Sequence, residues 1–147
     1  MKNLSDFIND DSLSDFDSLV KLAIIHHQFE SIHPFYDGNG RTGRIINILY
    51  LVIEELLDLP VLYLSRYIIQ NKADYYRLLQ DVRDKNDWES WIIFMLRGIE
   101  ETALQTISLI EQMRKMMADY KKGLRADLPK IYSQDLLSNK RKTTLPT

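Results

Sequence analysis

Residues 32–44 read IHPFYDGNGRTGR, and they gather His33, Asp37, Arg41, Arg44 and three of the chain's five glycines. Each type brings its own chemistry. An imidazole with an ordinary pKa near 6.5 suits His33 to taking a proton at neutral pH. Gly38 and Gly40 let the backbone curl through positive φ, so that successive N–H groups face one concavity and form an anion nest. Arg41 and Arg44, three apart, leave the same face of a helical first turn, and their forked donors match phosphate oxygens. A single phosphate needs less than a nest and two arginines; a di- or triphosphate uses them all. Asp37 beside such a site makes sense with Mg²⁺ between carboxylate and phosphates, since that ion takes a carboxylate or two, substrate phosphates and water. The set fits attack by a hydroxyl on a nucleotide phosphate. His33 is then the base, Asp37 the metal ligand, and the nest and arginines stabilise developing charge.

Taken singly, each feature has a plainer reading: a glycine turn, a helix stopped at His-Pro, an N-capping Asp37, a surface arginine pair. Their joint occurrence in one short window carries the functional reading.

The elements around the loop are helical. Residues about 16–31 carry Leu19, Leu22, Ala23 and Phe29 at helical spacing, with Ser and Asp available as caps. After the glycines, RTGRIINILYLVIEELL is apolar on nearly every side and is expected to be the central, buried helix. DLPVLY reads as a turn, and the stretch from near Ser65 to Lys85 as one or two short helices. A long helical pattern follows. Asn86 and Glu89 have capping-box spacing for its start, and Gly123 or Pro129 is expected to stop it. One face is marked by Trp91, Met95, Ile99, Ala103, Ile107, Ile110, Met113 and Met117, a stripe read as core. Strand signals are weak throughout. The expected fold is all-α, a helical bundle with the anion-binding loop between two central helices. The core is expected over residues 1–130, with a truncated helix and polar tail over 131–147.

Composition narrows the classes. The chain has 147 residues, 45% hydrophobic and 27% charged, with net charge −2. That favours one domain and gives no bulk electrostatic reason to expect nucleic acid or a membrane surface. Without cysteine there are no disulfides and no thiolate zinc site, so a cytoplasmic setting is the default. The apolar run Ile45–Ile53 is interrupted by Asn47 and followed by acids, too short for a membrane span.

HPFYDGNGRTGR matches without departure the pattern His-Pro-Phe-x-Asp/Glu-Gly-Asn-Gly-Arg-x-x-Arg of the Fic family, which this chain resembles over about residues 1–130. The stretch after the loop is similar to a bacterial branch whose core precedes a winged-helix module. The resemblance implies a protein adenylyltransferase that moves AMP from ATP, with Mg²⁺, onto a Ser, Thr or Tyr hydroxyl of a protein target, itself included. Residue by residue, it implies His33 as the base, Phe35 as the anchor of the loop in the core, and Asp37 as the metal ligand. Gly38, Asn39 and Gly40 become the nest, Arg41 and Arg44 the grip on the outer phosphates, with Thr42 and Gly43 in the same ATP-binding stretch. Tyr75, Tyr76 and Arg83 fall where some relatives line the nucleotide pocket. His26 and His27 are read as packing or support.

Two alternatives stay open: another nucleotide donor in the same nest, or a catalytically weak nucleotide-binding or interaction module. Homo-oligomerisation is also open. The family's inhibitory pattern, Ser/Thr-x-x-x-Glu-Gly/Asn, is not found, so Arg44 is expected to be free for a phosphate. No hairpin-like flap sequence precedes the loop, and the chain reads as a core without its upstream regulatory part or downstream module. Poor transfer to outside targets and self-modification in the Ser133–Thr147 tail are the corresponding expectations.

Overall fold

The computed structural model describes residues 1–127, and it is all-α: among them there are six α-helices, one 3₁₀ turn and no strand. Two compact units divide the chain, Met1–Thr106 and a second beginning at Ile107. The first holds α1 (Lys2–Asn9), the 3₁₀ turn Asp11–Leu13, α2 (Ser18–Ile32), α3 (Asn39–Ile53), α4 (Leu64–Gln70) and α5 (Lys72–Lys85). The last helix, α6 (Trp88–Asp127), runs through the division.

The core of the first unit is built around α2, whose Leu22, Ala23, Ile25 and Phe29 are fully or almost fully buried. Asp17 starts α2, its side chain accepting from Leu19 N–H, which satisfies one of the orphan donors of the first turn. Trp91 of α6 is wholly buried and donates its indole N–H to Ala23 O at 2.9 Å. Gly98 is where α6 meets α4: a Cβ there would lie 2.6 Å from Tyr67 Cδ1 and 3.2 Å from Leu64 Cδ1.

Four expectations change. The helix α3 is buried on one side only, through Gly43, Asn47, Tyr50 and Leu51; Ile45, Leu49 and Ile53, each four apart, are exposed. It also ends earlier, at Ile53, because Glu55 turns into the left-handed region (φ 57°). Asn86 is not the cap of α6. It terminates α5 in the left-handed conformation (φ 56°), and Asp87 caps α6 by accepting from Ser90 N–H at 3.1 Å. Gly123 does not stop α6, which continues to Asp127; Pro129 and the 131–147 tail lie outside the described residues.

The second unit is described as far as Asp127. There Ile107, Ile110, Met113, Met116 and Met117 are each about half exposed or more, so the stripe read as core is buried only in its first part, at Trp91 and Met95.

Candidate active site

The loop is set between α2 and α3, the two helices that pack most closely on each other. His33 ends α2: its N–H donates to Phe29 O at 3.0 Å, and its backbone sits in the left-handed region at φ 50°, a conformation a non-glycine residue holds at a cost. The imidazole is thereby carried out of the helix to the surface. Gly38 opens α3 at φ 87°, a region where an L side chain is strained.

Between these two turns the loop is braced by Asn39. Its side chain accepts from Phe35 N–H at 2.8 Å and donates to Phe35 O at 2.6 Å, and the residue is 3% exposed. Phe35 itself is half exposed, its ring 6.3 Å from that of Phe29. The buried amide therefore anchors the loop and the phenyl ring does not, because two backbone groups without helical partners need a polar bracket more than an apolar one. The first helical hydrogen bond of α3 is Thr42 N–H to Gly38 O, which leaves the N–H groups of Asn39, Gly40 and Arg41 without an intrahelical acceptor at the positive end of the helix dipole. Thr42 adds its hydroxyl to Gly38 O at 3.1 Å.

Asp37 accepts from Gly38 N–H at 2.7 Å and pairs with Arg41 at 3.3 Å, both side chains well exposed. Such a pair contributes little stability, so both groups are available to a ligand. Together these residues form one wall of an open cavity of about 790 Å³. His33, Asp37, Gly38, Asn39, Gly40, Arg41 and Arg44 lie on it, and Tyr75, Tyr76 and Arg83 line the same cavity. Thr42 and Gly43 are not on the wall. Gly43 is buried under it, where a Cβ would meet Phe29 Cδ1 at 3.2 Å and His26 Cε1 at 3.3 Å.

The tyrosine pair divides its roles. Tyr76 is 57% exposed, with Lys72 Nζ 5.9 Å from its ring centre, and so offers a flat face to the cavity. Tyr75 is buried, and its hydroxyl lies 3.0 Å from His26 Nε2. Burial pushes the phenol pKa up, and the nearby Glu30 carboxylate adds to it. Arg83 Nε donates to Ser31 Oγ at 3.3 Å.

His26 is completely buried, 3.0 Å from Asn47 Nδ2 through its Nδ1 and stacked on Trp91 at 6.1 Å. The Asn47 amide donates to Nδ1, so the ring is neutral, with its proton on Nε2 facing Tyr75. Burial drives its pKa down to about 4. His27 is also shifted down by burial, and its Nε2 lies 3.2 Å from Leu79 O. Both histidines act as packing and support.

No motif in the sequence points to Glu30. Its Oε1 is buried and has no hydrogen-bond partner, and the same holds for Arg44 Nε. Arg44 and Glu30 both approach Gly40, and the guanidinium acts electrostatically on the carboxylate, a meeting of α2 and α3 that no short motif signals.

Residues 1–51 match the Fic/DOC family. This segment is similar to Fic domains. Protein adenylyltransferase fic-1 of Caenorhabditis elegans is 28% identical over 111 residues, 76% of this chain and 20% of the relative. Protein adenylyltransferase Fic of Drosophila willistoni is 26% identical over 102 residues, 69% and 19% of the two chains. A "probable protein adenylyltransferase" of Aquifex aeolicus is 46% identical over 52 residues, 35% of this chain and 16% of the relative. The chain thus spans about a fifth of the length of the curated relatives it matches. The Fic match covers α1, α2, the loop and most of α3, the elements that set His33 and the nest. Among the described residues no helix is long and apolar enough to cross a membrane.

Proposed function

We propose that this chain is the catalytic core of a protein adenylyltransferase, transferring AMP from ATP to a Ser, Thr or Tyr hydroxyl of a protein target. The observation that carries the reading is the convergence of His33, Asp37, the free N–H groups of α3 and both arginines on one cavity wall. The printed names of the relatives support the same reading.

In this mechanism the triphosphate lies along the wall. The N–H groups at the start of α3 receive phosphate oxygens, and Arg41 and Arg44 hold the outer phosphates. His33 takes the proton of the acceptor hydroxyl. That oxygen bonds to the α-phosphorus, the α–β phosphoanhydride bond breaks, and pyrophosphate leaves with the two outer phosphates. Charge on the departing pyrophosphate is what the nest and the arginines stabilise.

A Mg²⁺ ion fits the donor set. No cluster of three or more metal-binding side chains exists among the described residues, so no protein cage is built. Asp37 alone, exposed on the wall, suits an ion that arrives with the nucleotide and keeps phosphate and water ligands. Bound there, the ion would neutralise phosphate charge; Asp37 is the residue that would hold it. Tyr76, Ile69 and Gln80 also line the cavity, and the base would rest against them.

Calorimetry with ATP, GTP and UTP in the presence of Mg²⁺ tests the reading. Preferential ATP binding supports it. Equal affinity for the three would demote ATP as the donor, and no binding would remove the nucleotide site altogether.

A further inference from the structure

We propose that Glu30 limits the loop's affinity for the outer phosphates of a nucleotide, because its carboxylate holds a negative charge beside Arg44 where those phosphates must come. The inference rests on the reading of the loop as a polyphosphate site.

The geometry begins with two glycines. At Gly40, the position a Cβ would take is 3.1 Å from Arg44 Nη1 and 3.9 Å from Glu30 Oε1. At Gly43 it is only 2.7 Å from Glu30 Oε1. The Glu30 carboxylate thus lies over the first turn of α3, in space that these glycines leave open. Arg44 shares that space, and both residues line the cavity.

The two groups are near each other without being satisfied. Glu30 Oε1 and Arg44 Nε are both buried and lack a hydrogen-bond partner. The carboxylate therefore supplies charge without a clamping geometry for Arg44. Arg44 from α3, Tyr75 from α5 and His33 at the end of α2 are the titratable and charged groups that face it. Burial pushes the Glu30 carboxyl up, while Arg44 and then His33 oppose that rise. An incoming phosphate improves the surroundings of Arg44 and worsens those of Glu30. In a partly desolvated cavity that repulsion is weakly screened. It falls on the outer phosphates, which reach Arg44, and much less on a lone α-phosphate.

The test is calorimetry on the full chain with Mg-ATP, AMP and inorganic triphosphate. Wild type, Glu30→Gln, Arg44→Ala and the double variant are compared, with thermal melts to verify folding. Glu30→Gln keeps the shape and removes the charge. It is expected to tighten Mg-ATP and triphosphate about tenfold, to change AMP by less than about twofold, and to give no gain in the Arg44→Ala background. Unchanged or weaker triphosphate binding by folded Glu30→Gln overturns the inference, and so does an equal gain for AMP. A role in holding the fold would lower the melting temperature without this dependence on phosphate number. If Glu30→Gln does not fold, Glu30→Asp withdraws the carboxylate by one methylene and is expected to shift affinity in the same direction by a smaller factor; no shift overturns the inference. If the wild type binds no ATP, the reading of the site as an ATP site fails. The inference is then decided on inorganic triphosphate alone: a Glu30→Gln variant that binds it no better than wild type ends the proposal.

Discussion

Acid should destabilise this protein through His26. The ring is wholly buried, and burial holds its pKa near 4 against an ordinary 6.5. The folded state therefore keeps His26 neutral where the unfolded chain already binds a proton. Stability from this group is complete above pH 6.5, falls as pH drops, and stops falling below about 4, where the folded form also protonates. The full shift corresponds to roughly 3 kcal/mol, of which about 2 kcal/mol is lost between pH 7 and pH 5. Urea unfolding of wild type and His26→Gln at the two pH values isolates this part. The glutamine can still hydrogen bond within the network but does not titrate. His26→Gln should be less stable at pH 7 by about 1–3 kcal/mol, through lost packing on Trp91 and imperfect bonds to Tyr75 and Asn47. Its further loss on going to pH 5 should be about 2 kcal/mol smaller than that of wild type. Parallel losses in the two proteins, or an NMR titration that puts His26 near 6.5, would show that burial does not hold this ring neutral.

Further outcomes follow from the site. Arg44→Ala should weaken ATP by about tenfold or more and AMP much less, and equal losses in a binding titration would show that Arg44 does not read the outer phosphates. Tyr75→Phe should cost about 1 kcal/mol in urea unfolding, because it strands a buried histidine nitrogen, and leave ATP affinity nearly unchanged. Tyr76→Ala should do the reverse, weakening nucleotide binding with little effect on unfolding. Gly38→Ala should lose roughly 1 kcal/mol of stability at its φ of 87°, together with nucleotide affinity, read from a melt and the same titration.

Much of the architecture could be read before the fold was seen, and for identifiable reasons. Apolar spacing in α2 follows the helical period closely, since Leu22, Phe29 and their neighbours face one continuous core. The motif residues are local in sequence, so a turn and a helix start are enough to bring His33, Asp37, Gly40 and Arg44 to one wall. Local pattern failed where tertiary packing decided. In α3 an apolar residue on every side suggested complete burial, yet nothing within the first unit covers Ile45, Leu49 and Ile53. Asn86 and Asp87 are adjacent and both are good caps; α5 took the first for its end, leaving the second to start α6. The family resemblance implied Phe35 as the anchor, but the loop's unpaired backbone groups needed the Asn39 amide. The Asn47–His26–Tyr75 chain and the approach of Glu30 to Arg44 join residues on different helices, and no spacing rule could bring them together.

In the proposed function, His33 and the nest perform nucleotidyl transfer. The most direct measurement incubates the full chain with Mg²⁺ and ATP labelled at the α-phosphate, and follows protein-bound label for wild type, His33→Ala and Arg44→Ala. Label on the protein, its position fixed by mass spectrometry, is expected for wild type, with a fall of at least ~100-fold for His33→Ala. Label carried equally by wild type and His33→Ala would show that His33 is not the base.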